Sequence, residues 1–193
     1  ARGQSRVIAS DLFFPDLRVR PPARGATAQQ LERGEFEHRL RQQRAHFQRG
    51  LLAWLRAPRE RAGVTEMLSA VKRIEAIQEM PSARAFWWVA TAFLTALGEG
   101  ALPPDADARQ LCSRIDLQTR RLLEGSSNVA ERLMRDALYL VGIARSSHRT
   151  VQKVKQAYRL PALIAAEVAP APVAEDAVRR RLRDAITATE EAW

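Results

Sequence analysis

Residues 85–98 read AFWWVATAFLTALG, the longest run without a charged side chain in this 193-residue sequence. At 14 residues it is short of the ~18 or more that a membrane span needs. Phe86, Ala90, Phe93 and Leu97 recur at helical spacing and form one stripe. Trp87 and Leu94 lie about 100° around from that stripe, and Trp88 and Val89 widen the apolar arc. A helix over 82–97 that is apolar on most sides belongs at the centre of a bundle. Ala90, Ala92 and Ala96 let neighbours come close, and the Gly98–Gly100 region ends it.

Working outward, the same periodicity recurs on both sides. A helix over 28–55 carries Phe36, Leu40, Phe47, Leu51 and Trp54 on one face, with Thr27 and Gln30 at capping-box spacing and Pro58 closing the segment. A second helix, 64–79, turns Met67 or Leu68, Val71, Ile74 and Ile77 inward and stops at Pro81. After the central helix, Asp105 caps a helix over 106–124 with Leu111, Ile115 and Leu122 inward and Gly125 at its end. Asn128 and Glu131 suggest a second capping box for a helix carrying Leu133, Ala137, Leu140, Val141 and Ala144. A bend at 145–149 and a short helix over 150–158 follow. Residues 161–172 are Ala/Pro-rich and read as a connector. A last helix over 174–191 has Val178, Leu182, Ala185 and Ile186 on one face. No window alternates long enough for a strand, and no repeat appears at a fixed period.

The expected fold is therefore all-α, an up-and-down helical bundle of about six to seven helices. It divides into an irregular leader (1–26), a bundle core (27–160), the connector (161–172) and the C-terminal helix (173–193). Pro15, Pro21 and Pro22 keep the leader from being helical. Its Leu12, Phe13, Phe14 and Leu17 are expected to pack on the bundle.

Composition narrows the function. Hydrophobic residues make up 46% and charged residues 27%, which is globular usage. Cys112 is the only cysteine and there are three histidines, so neither an internal disulfide nor a thiolate metal site is expected. The N-terminus lacks a signal pattern and an initiator Met, so a trimmed piece of a longer cytoplasmic protein is expected. The formal charge is +9, from 28 Arg and 3 Lys against 22 acids. The basic run at Arg179, Arg180, Arg181 and Arg183 raises an Arg-rich nucleic-acid-binding domain as one alternative. Glu175 and Asp176 stand four residues before Arg179 and Arg180, and acids are interleaved with arginines elsewhere. That mixture argues for a solvated face and against nucleic acid.

No phosphate-binding glycine loop, dinucleotide fingerprint, zinc-protease motif or nucleophile elbow is present. Asp105 and Asp107 are paired carboxylates at a helix start, where capping accounts for them. His38 beside Glu37 reads as a surface residue, and His148 as a loop histidine without an orienting carboxylate. Cys112 reads as a small buried hydrophobe, and Trp87–Trp88 as core rather than a stacking platform. No cofactor, metal or small-molecule substrate is implied.

One fragment carries chemistry. His46, Arg49 and Gly50 resemble the His-x-x-Lys-Gly signature of histidine phosphotransfer (Hpt) domains. There an exposed imidazole on a bundle helix takes a phosphoryl group from a receiver's aspartate. The cation three residues on steadies the phosphoryl oxygens, and the glycine lets the receiver approach. Arg49 stands where that family has Lys and keeps the charge but not the compact ammonium. The plainer reading is a solvated helix histidine beside the Phe47–Leu51 core face.

Residues 10–17 (SDLFFPDL), 47–55 (FQRGLLAWL), 85–90 (AFWWVA) and 131–139 (ERLMRDALY) together resemble another pattern. It is the N-terminal Hpt-like region of the large CheA-like hybrid histidine kinases of type IV pilus chemosensory systems, the ChpA/PilL type. The resemblance spans roughly residues 5–145. It implies a cytoplasmic, two-component phosphorelay setting tied to twitching motility, with receiver or regulatory domains as protein partners. Some modules of such kinases lack the phosphorylatable residue and act in docking or regulation. None of the family's ATP-binding motifs occurs here, so kinase activity is not expected in this chain. The leading expectation is a non-catalytic docking or regulatory module, with an active Hpt domain using His46 as the first alternative.

Overall fold

A computed structural model describes residues 13–23 and 31–168. Seven helices make up the described bundle: α1 (Arg33–Arg56), α2 (Arg61–Ala76), α3 (Pro81–Gly98), α4 (Ala106–Leu123), α5 (Glu131–Ile143), α6 (Arg149–Ala157) and α7 (Leu160–Val168). No strand occurs among the described residues, and the fold is an all-α, up-and-down bundle.

Cross-helix pairs fix the alternation. Trp54 meets Gly63 and Gly50 meets Met67, so α1 and α2 are antiparallel. Gly98 meets Val64, and Thr91 Oγ1 lies 3.3 Å from Glu75 Oε2, so α3 turns back along α2. Arg44 pairs with Asp116 between α1 and α4, and Arg114 with Asp136 between α4 and α5. α3 touches α2, α5 and α6. Every residue from Ala85 to Leu97 is buried, so the uncharged run forms the centre that its composition demands. Thr91 and Thr95 are tolerated there because their hydroxyls donate to the carbonyls of Trp87 and Thr91, at 2.8 and 2.7 Å. Each large apolar side chain so buried contributes roughly 1.5–3 kcal/mol of transfer free energy.

Pro81 starts α3, where its missing N–H costs nothing. Asp105 caps α4 as expected, its Oδ1 accepting from Ala108 N at 3.0 Å. The Asn128–Glu131 box does not form: Ala130 is the N-cap of α5 and no side chain caps it. Asn128 instead accepts Gln118 Nε2 at its own carbonyl, 3.0 Å away. The connector reading is corrected at its start, because α7 runs through Leu160–Val168. Pro161 falls in the first turn of α7, where a helix accepts it. Leu160 is buried, and Ile164 lies against Gly142 of α5. The Thr27–Gln30 box, Leu12, and the 174–191 helix with its arginine run lie outside the described residues.

The leader docks as an irregular segment. Phe13 is buried and meets Tyr139 of α5 edge-on at 5.8 Å. Tyr158, at the C-cap of α6, donates to Val19 O at 3.4 Å, and Arg84 of α3 donates to Pro22 O. Leu17 is partly buried against the core. Phe14 departs from the expectation: it is 63% exposed and lies under the Arg135 guanidinium, 4.7 Å from its centroid. The two adjacent rings point opposite ways, so one anchors and the other lies outside.

Candidate docking surface on the first helix

α1 carries all three residues of the phosphotransfer-like fragment. Its inward face is set by Leu40, Phe47, Gly50 and Trp54, all buried. His46 is half-buried and Arg49 exposed. At 100° per residue His46 lies about 40° from Gly50, on the flank that faces α2. Gly50 is where the two helices cross. A side-chain carbon there would lie 2.7 Å from Gly63 O, 2.9 Å from Glu66 Cβ and 2.9 Å from Met67 N. The space beside Gly50 is thus filled by α2. His46 makes no hydrogen bond to a carboxylate among the described residues.

The other chemical candidates have structural employment. His148 is the N-cap of α6, its Nδ1 accepting from Thr150 N at 3.1 Å. His38 is exposed and bonds Gln42 at 2.9 Å. Cys112 is fully buried, and burial pushes its thiol up to about 12, so it is no nucleophile at neutral pH. Trp87 and Trp88 are core, with Trp87 edge-on to Phe86 at 5.2 Å. Among the described residues no group of His, Cys, Asp or Glu side chains converges to hold a metal. No helix among the described residues is long and apolar enough to cross a membrane.

A cleft of about 560 Å³ opens between the leader, the start of α3 and the α4–α5 loop. Arg20, Ser82, Phe86, Asn128 and Met134 are among its lining. Asp16 also borders it, and hydrogen bonds from Arg18 hold its carboxyl below the usual range.

The outer face of α1 changes character along its length. In its first half Arg33 and Arg41 pair with Glu37, and Arg39 with Glu35. After Glu37 the sequence has no acid until Glu60. Arg49, Arg56, Arg59 and Arg61 are exposed, and none makes an ion pair among the described residues. Between them Leu52 and Leu55 stand one turn apart, 51% and 45% exposed. Sequence reasoning passed over these leucines. The signal was available, since Leu52 falls about 140° from Phe47 on the helix circle, off the core stripe.

Comparison with known proteins gives one family. The model of the FimL scaffold protein second domain matches residues 32–170. The scaffold protein FimL of Pseudomonas aeruginosa is 26% identical over 164 residues, covering 84% of this chain and 29% of that protein. The chain therefore spans less than a third of the curated relative it matches. No solved structure matches it. The family found is that of a scaffold, where the sequence resembles the Hpt-like region of a kinase.

Proposed function

The chain belongs to the FimL scaffold second-domain family, and from that premise we propose that it is a non-catalytic docking module that holds protein partners of a two-component phosphorelay together. The observation that carries the reading is the Gly50 crossing. The one fragment resembling a phosphotransfer site has its glycine pressed against α2 and its histidine half-buried beside it. That crossing supports a reading in which α1 offers its outer face for binding. The resemblance to pilus chemosensory kinases supplies the setting: a cytoplasmic chemotaxis-type system controlling type IV pili and twitching motility. In it this module docks receiver or regulatory domains beside the histidine kinase.

The test is incubation with an aspartyl-phosphorylated receiver domain of the same signalling system, followed by separation and a binding measurement. The expected result is no phosphoryl label on this chain, with or without detectable receiver binding. Acid-labile label on the wild type that is absent from His46→Gln would make the module an active Hpt domain and overturn the docking reading.

A further inference from the structure

The outer face of the C-terminal half of α1, with the turn that follows it, joins two properties: its exposed arginines make no ion pair among the described residues, and it presents two leucines one turn apart. Uncompensated exposed arginines favour an anionic partner, and charge complementarity of this kind guides encounter and register. Phosphate backbones would satisfy the arginines but offer nothing to Leu52 and Leu55. Direct DNA binding also uses arginines on a surface shaped for a groove. Anionic membranes would take both, but interfacial helices bring a broad apolar face with aromatic residues, and here only two leucines project. A second helix fits best: leucines at i and i+3 are the spacing at which one helix packs against another.

We propose that Arg49, Leu52, Leu55, Arg56 and Arg59 form a docking strip for an acidic amphipathic helix of a protein partner. The partner's apolar residues cover Leu52 and Leu55, and its flanking carboxylates meet Arg49, Arg56 and Arg59. Arg–carboxylate pairs can be bidentate, which gives the strip geometric as well as electrostatic selectivity. This inference rests on the docking reading above and specifies its partner's chemistry.

The test uses the full chain and a synthetic helical peptide with leucines at i and i+4 flanked by glutamates. Binding is followed by calorimetry or by anisotropy of labelled peptide. The expected dissociation constant is about 100 µM or tighter, weakening as salt rises. Arg49→Glu with Arg56→Glu should weaken it about tenfold or more, and Leu52→Ser with Leu55→Ser should do the same. All four positions are exposed; circular dichroism checks that each variant folds, and the milder Arg49→Gln provides a graded arm. Replacing the peptide's leucines by serine should cost a similar factor. Absence of binding at millimolar peptide, or binding unchanged in both double variants, overturns the strip. Strip-dependent binding to phosphatidylglycerol vesicles or random duplex, without binding to the peptide, also overturns it and reassigns the surface. The receiver-label assay is run on the same samples. No label together with no peptide binding refutes this strip and leaves the docking reading standing; label on His46 refutes the docking reading itself.

Discussion

Gly50 and Gly63 hold α1 and α2 together by each lacking a side chain: a carbon added to Gly50 would lie 2.7 Å from Gly63 O, and one added to Gly63 would lie 2.6 Å from Gly50 O. Both contacts are with backbone, so relief requires moving a whole helix. Gly50→Ala and Gly63→Ala are each expected to destabilise by about 1–3 kcal/mol, the cost of overpacking. That outweighs the helix-propensity gain of up to about 1 kcal/mol that alanine brings. Gly34, also in α1, has nothing within 4 Å of the same position. Gly34→Ala should therefore stabilise by up to about 1 kcal/mol. Urea unfolding of the three variants checks the opposite signs; a stabilised Gly50→Ala would show that the helices do not cross there.

Phe93 is fully buried in α3, and Phe93→Ala is expected to cost about 3–5 kcal/mol. Equilibrium unfolding measures it. A loss under about 1 kcal/mol would contradict the central position of α3.

The two leader rings should behave differently. Phe13→Ala removes a buried ring edge-on to Tyr139 and should lower the melting temperature clearly. Phe14→Ala removes an exposed ring under Arg135 and should cost no more than about 1 kcal/mol. Equal effects in thermal melts would mean that the leader does not insert Phe13 alone.

Alkali should weaken the fold. Burial raises the Cys112 thiol from 9.0 to about 12 and the Tyr158 hydroxyl from 10.0 to about 12. Between the unfolded and folded values the folded chain holds more protons, so this stability is complete below about pH 9 and lost as pH rises through about 12. Lys155, lowered from 10.5 by burial, opposes the trend, but two raised groups face one lowered one. The urea midpoint should fall from pH 8 to pH ~10.5, and Cys112→Ala should lessen the fall. At pH 8 native Cys112 should resist a thiol-reactive disulfide reagent that labels the unfolded chain rapidly.

How far the sequence spoke depended on whether the deciding partner was local. α3 was legible because its composition alone demands burial on most sides, and Asp105 because a cap acts within three residues. The Asn128–Glu131 box misled because α5 starts at Glu131 itself, which puts Ala130 rather than Asn128 at the N-cap. The start of the connector misled because Ala and Pro read as breaks, while Pro161 sits in a first turn and Ile164 finds its pocket over Gly142. The packing of Gly50 was not legible, since its neighbour Gly63 lies on another helix. Phe13 and Phe14 are indistinguishable by type; only the path of the leader separates them.

The burial of α3 on every side also sets an order in time. During synthesis the segment through Gly98 is complete while its covering helices α5 and α6 are still to be made, the latter ending at Ala157. At ~5–20 residues per second this leaves the apolar segment half-covered for ~3–12 s. For that interval α2 is the one helix already made that packs on it, so the glycine crossing that fixes α2 against α1 also protects the nascent chain from sticking to its neighbours.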